Sequence, residues 1–145
     1  MLIAGLWLHD DDDVIRPVVK GAVLDVNGLW TPTEFLVDSG ADRTVFMGIF
    51  LKELGLPHLP TIHHLGGVGG AVATVHVGTQ IRFSVAGGNA IVFEGTFAGF
   101  TQEDALDMNV LGRDIMNQFA VIVDRPGDVV CMVGKGHCYS IGKQP

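Results

Sequence analysis

Apolar and β-branched residues dominate from Val14 to Val26, and Asn27-Gly28 follows. That pair readily takes the positive φ angles of a two-residue type I′ turn, so the pattern predicts a hairpin returning along Trp30 to Val37. The return strand delivers Asp38 to its carboxyl end, where Ser39-Gly40-Ala41 interrupts the extended pattern with small residues. From Met47 to Leu54 the apolar positions are Ile49, Phe50, Leu51 and Leu54, with Gly55 and Pro57 as stop signals, which predicts one short helix. Ile62 to Leu65 and Ala71 to Val77 flank the glycine-rich tip Gly66-Gly67-Val68-Gly69-Gly70 and predict a long hairpin. A second hairpin is expected from Ile81 to Val85 and Ala90 to Phe97 around Gly87-Gly88. Asn109 to Leu111 reads as a buried strand and Arg113 to Phe119 as one or two helical turns. Ala120 to Val123 and Val129 to Val133 read as a last hairpin across Arg125-Pro126-Gly127-Asp128. Short strands, frequent turn signals and at most two short helices make the expected fold class all-β.

Composition sharpens this in three ways. A chain of 145 residues can bury one core without crosslinks, which predicts a single domain over residues 14–134, preceded by a segment with an acidic linker (1–13) and followed by a tail (135–145). The formal charge of −7, with nine scattered Lys and Arg residues, argues against a nucleic-acid partner. Cys131 and Cys138 lack CxxC spacing, and His63, His64 and His76 lack metal-ligand spacing, so no metal or other cofactor is expected. The apolar opening Met1 to Leu8 has no basic leader and runs into His9 and four aspartates, which fits neither a signal peptide nor a membrane span. The expectation is a cytoplasmic protein with no membrane partner. Asp10 to Asp13 lacks the Gly and distal Glu of a calcium loop and reads as a solvated linker. The glycine-rich tip is not a phosphate loop, because no Lys-Ser/Thr follows it.

Asp38-Ser39-Gly40 taken alone is ordinary turn chemistry. Its context carries more. Phe35-Leu36-Val37 precedes it as a buried strand, Ala41-Asp42-Arg43-Thr44-Val45 follows, and Asn109-Val110-Leu111-Gly112-Arg113-Asp114 lies some seventy residues on. Together with Arg16-Pro17 and the Gly66 to Gly70 tip, these blocks agree in order and spacing with one family. From about Arg16 to Gln118 the chain closely resembles the retropepsin-like, or retroviral-type, aspartic proteases.

The resemblance implies a half-barrel with a flap hairpin and an aspartic endopeptidase acting on extended, largely apolar peptide segments. Asp38, Ser39 and Gly40 would form the catalytic turn, with Ser39 bracing the paired loops and Gly40 admitting the substrate backbone. Metal-free peptide hydrolysis needs a base for water and an acid for the substrate, which two carboxyls sharing a proton supply. The sequence holds no second Asp-Ser/Thr-Gly turn, so the other carboxylate must come from a second copy in a homodimer. By resemblance, Asp42, Ala41, Leu36, Val45, Leu65, Gly66, Gly67, Val68 and Val110 would contact the peptide. Arg113 would pair with Asp42, and Arg16 would reach Asp42 of the opposite subunit. Arg43 and Asp107 put charges where pocket edges are expected, and the region after Gln118 is longer than the viral terminal strand. The dimer sheet is therefore expected from Val129 to Val133 or from Leu2 to Leu8. The alternative function is a catalytically silent dimeric module that binds peptides or directs assembly on the same fold.

Overall fold

The computed structural model describes residues 1–67, 70–136 and 142, with side chains described for these except at 60–72. Val68 and Cys138, singled out above, lie outside the described residues, as does the side chain of Leu65. The described chain is mostly strand: β1 (Leu2–His9), β2 (Ile15–Leu24), β3 (Trp30–Val37), β4 (Val45–Phe46), β5 (Leu59–Gly67), β6 (Gly70–Ser84), β7 (Ala90–Phe100), β8 (Asn109–Leu111), β9 (Ala120–Asp124) and β10 (Val129–Val133). Two short helices, α1 (Gly48–Leu54) and α2 (Arg113–Met116), complete it. The fold is all-β, as the patterning predicts. No described helix is long and apolar enough to cross a membrane.

The strands follow one another in the order β5-β6-β7-β4-β8-β3-β2-β1-β10-β9, with β2 and β6 also paired. That extra pairing folds the sheet over on itself around a core that includes Val19, Val23, Phe35, Phe46, Leu54, Ile81, Phe83 and Leu111. Aromatic rings run through it in tilted contacts, Phe83 to Phe35 to Phe46 to Phe97, with centroids 5.7 to 6.4 Å apart. Each ring buried this way contributes about 2 kcal/mol from its area alone, plus a smaller geometric preference between rings. α1 ends at Gly55, whose φ of 62° is the left-handed cap that the Gly-Pro stop signal implies.

Three local expectations change. The β2–β3 turn is not type I′, because Asn27 is absent from the positive-φ residues while Gly28 has φ 77°. The carboxylate of Asp25 accepts the N–H groups of Asn27 and Leu29 at 2.8 and 2.9 Å, so the turn starts earlier and only Gly28 needs the left-handed region. Ala71 to Val77 and Ile81 to Ser84 fall on one strand, β6, and Val85 lies just past its end. β6 pairs with β7 without interruption from Thr74 to Ser84, and Thr79 Oγ1 donates to the Leu24 carbonyl at 2.6 Å. Leu2–His9 is a strand of the sheet. Its first part pairs with β10 and its second with β2, and Asp10 to Asp13 is the turn between β1 and β2.

Candidate active site

Asp38 follows β3 directly. β3 runs parallel to β8, Val37 facing Leu111, and the Asp38 N–H reaches the Leu111 carbonyl at 3.3 Å. The chain then turns at once, with Ala41 N–H donating to the Asp38 carbonyl at 3.1 Å. Gly40 N–H donates to Asp38 Oδ1 at 2.9 Å, so one carboxylate oxygen is fixed by the loop's own backbone. A Cβ at Gly40 would stand 3.2 Å from that same oxygen, and a side chain here would press on the carboxylate. Asp38 is half-buried, while Ser39 and Gly40 are exposed.

The loop is bolted to α2 from both ends. Arg113 Nη1 donates to the Ser39 carbonyl at 2.7 Å, Nη2 pairs with Asp42, and the Arg113 N–H donates to Ala41 at 2.9 Å. The Arg113–Asp42 pair is largely exposed and worth at most about 1 kcal/mol of stability, so its effect is to orient the loop. A second clamp was not legible in the sequence. Thr44, fully buried, donates its N–H to both Asp114 oxygens at 2.9 and 3.0 Å and its hydroxyl to Oδ1 at 2.7 Å. Its hydroxyl in turn accepts the Gly112 N–H at 3.1 Å. Gly112 has to be glycine, because a Cβ there would lie 2.2 Å from the Arg43 carbonyl carbon. Asn109 ties β8 into the same framework, accepting Met47 N–H at 2.8 Å and donating to Thr33 Oγ1 at 2.9 Å. The only hint of these clamps was a polar Thr44 before Val45-Phe46 and a polar Asn109 before Val110-Leu111.

Leu36, Val110, Val45 and Ala98 are registered neighbours across β3, β8, β4 and β7. Because side chains alternate along strands, this row faces away from Phe35, Val37 and Leu111 of the main core, and its Val45 and Ala98 pack with Phe100 in a second apolar patch. Three of the expected pocket residues are thus brought together two positions from the catalytic turn. The expected flap residues Gly66 and Gly67 end β5, where they pair with Ala71 and Gly70 of β6. Arg16 is held inside its own chain, by Asp10 at 2.7 Å, Asp107 at 3.0 Å and Asp12 at 3.5 Å. Arg43 approaches His76 Nε2 on β6 at 3.5 Å. Among the described residues no cluster of three His, Cys, Asp or Glu side chains could hold a metal ion.

A strand ending in Asp-Ser-Gly, set parallel to a second strand that ends in Gly112 and a short helix, is the arrangement that decides the family. The aspartyl protease model matches residues 22–115, well over half the chain. The chain belongs to the aspartyl protease family. Two solved structures share the fold of this aspartyl protease. The EIAV protease complexed with the inhibitor HBY-793 is 25% identical with a TM-score of 0.53, the match covering 70% of this chain and 86% of that one. A retropepsin-like aspartic protease from Rickettsia conorii is 18% identical with a TM-score of 0.51, the match covering 91% and 88%. No curated protein matches the chain at a significant level. The fold is retropepsin-like, and residues 1–21 and 116–145, which include β1, most of β2, β9 and β10, lie outside the family match.

Proposed function

We propose that this aspartyl protease is an endopeptidase that works as a twofold homodimer, with one Asp38 from each copy in a single site. The observation that carries the reading is the Asp38 turn: a half-buried carboxylate with one oxygen fixed by the Gly40 N–H, on a loop anchored by Arg113 and the Thr44–Asp114 clamp. One such turn exists in the chain, and two carboxylates are needed. Two carboxyls forced together share one proton, so one serves as the base while the other serves as the acid.

The ionised carboxylate takes a proton from water as the oxygen attacks the peptide carbonyl, and the protonated carboxyl donates to the carbonyl oxygen. The resulting diol collapses, the nitrogen is protonated, the C–N bond breaks, and an acid and an amine leave. The β5–β6 hairpin is the lid, with Gly66 and Gly67 presenting backbone groups to an extended peptide, which pairs by main-chain bonds. The apolar row of Leu36, Val110 and Val45 favours apolar side chains beside the scissile bond.

Asp38→Asn tests this. The variant keeps an acceptor for Gly40 N–H and should fold and associate as the parent does, while peptide cleavage falls by about 10³-fold or more. Cleavage of a peptide library at the parental rate by the purified variant would remove Asp38 from the chemistry.

A further inference from the structure

We propose that Arg43, with His76 beside it, takes an acidic side chain of the peptide, so that this aspartyl protease favours substrates carrying Asp or Glu to the side of an apolar cleavage site. The proposal rests on the endopeptidase reading above and names a substrate class for that same site.

Arg43 is set apart by its surroundings. The chain has sixteen acidic residues against nine basic ones, and all sixteen lie where side chains are described. Four of its five arginines meet a carboxylate or an aromatic ring. Arg16 holds Asp10, Asp12 and Asp107, Arg113 holds Asp42, Arg125 holds Asp128, and Arg82 lies 4.4 Å over the Trp30 ring. Among the described residues Arg43 meets no carboxylate, and its side chain approaches His76 alone, Nη1 to Nε2 at 3.5 Å. Arginine carries donors only, so Nε2 is the acceptor and the guanidinium keeps further N–H groups for a ligand. Arg43 is exposed and His76 half-buried.

The pair also stands at the end of the apolar row. Leu36, Val110, Val45 and Ala98 are registered neighbours, and Ala98 pairs in turn with His76 of β6. Val75 and Val77 on either side of His76 pack against the main core, so His76 points to the opposite side, where the row lies. Arg43 comes to the same place from the catalytic loop. Its neighbour Asp42 is already paired with Arg113, and its neighbour Thr44 is clamped to Asp114. One face therefore runs from Leu36, two residues before Asp38, across apolar side chains to a cation.

Four inter-strand steps of about 4.8 Å separate Leu36 from His76, roughly 19 Å, which an extended peptide at about 3.3 Å per residue spans in about six residues. A carboxylate within that range can meet the guanidinium, which binds it through paired, charge-assisted hydrogen bonds. The chain's charge of −7 opposes an acidic peptide, but at physiological salt charges more than about 8 Å apart are largely screened, so the adjacent cation dominates. In a twofold pair the same cation recurs on the other side, giving an apolar centre with a cationic end on each flank.

The probes are dodecapeptides with a Leu-Phe centre, each carrying a single Glu or its isostere Gln at one of the other ten positions. At one position on a flank, the parent protein should cleave the Glu peptide with about tenfold higher kcat/KM than the Gln peptide. That ratio should fall to about one in Arg43→Gln and be largely kept in Arg43→Lys, while Arg43→Glu should favour Lys over Glu at the same position. A ratio taken within each variant cancels any change in overall activity, which is what a merely structural role would alter. Binding of the same peptides is titrated on Asp38→Asn and on Asp38→Asn combined with Arg43→Gln, independently of turnover. Cleavage by the parent with a ratio of one at every position, or a ratio that survives Arg43→Gln, overturns the proposal and leaves the Asp38 reading intact. A Glu preference in binding that Arg43→Gln abolishes, without cleavage by the parent, upholds Arg43 as the carboxylate site and overturns the protease reading. Peptides that are neither bound nor cleaved overturn both.

Discussion

The Asp38 loop and the β5–β6 hairpin are the two parts of the proposed site that must meet on a peptide, and they are built by opposite rules. The loop is short and tied at nearly every residue. Asp38, Ser39, Ala41, Asp42 and Thr44 each bond to β8, Gly112 or α2. The hairpin is long, and among the described residues its distal part pairs only with itself. Among the described strands β5 bonds to β6 alone, its register shifts between Pro60 and His64, and β6 joins β7 from Thr74 onward. Chemistry that moves a proton within tenths of an ångström needs the first kind of construction, and admission of an extended chain needs the second.

Breaking the loop's fixed geometry should have the largest effect. Gly112→Ala forces a Cβ into the Arg43 backbone, where no flexible side chain can give way. A loss of roughly 3 kcal/mol in thermal or denaturant unfolding is expected, with cleavage lost along with it. The comparison itself is sharpened by hydrogen exchange. Amides of His64 to Gly67 should exchange at least about 100-fold faster than those of Phe35 to Val37, since a two-stranded ribbon opens without opening the core. Equal protection would remove the distinction between the two regions. Thr44→Val keeps shape but leaves the buried Gly112 N–H without its acceptor and removes a donor to Asp114. It should cost about 2 kcal/mol in denaturant titration. Arg113→Ala should cost under about 1 kcal/mol, because its ion pair is exposed. Its larger effect should be on kcat, tens-fold down through a loosened loop, and a kcat unchanged within twofold would show that the loop is held without it.

Much of the strand plan was legible because periodicity and turn residues act locally. β3, β8, β10, α1 and the Gly87-Gly88 turn fall where the pattern puts them. Where reading failed, a non-local partner decided. Nothing near Gly78-Thr79 reveals that β7 pairs straight past it, and the side chain of Asp25, not the Asn-Gly pair alone, sets the β2–β3 turn. Asp10 to Asp13 looked like solvated charge, yet Asp10 and Asp12 neutralise Arg16 together with Asp107, which comes from a distant loop.

The sequence by itself determined an all-β chain, the turn that carries Asp38, and the fact that one chain supplies one such carboxylate. These follow from short-range chemistry: strand alternation, small residues at a tight turn, and a count of motifs. Only the tertiary structure decided what holds that turn still, because Thr44, Gly112 and Asp114 become partners when β4, β8 and α2 are brought together. It alone showed that β1 and β10 pair within the chain and that, among the described strands, β9 pairs with β10 alone. Hydrogen bonds between distant strands are chosen by the packing of the whole sheet, and no local pattern encodes which strands become neighbours.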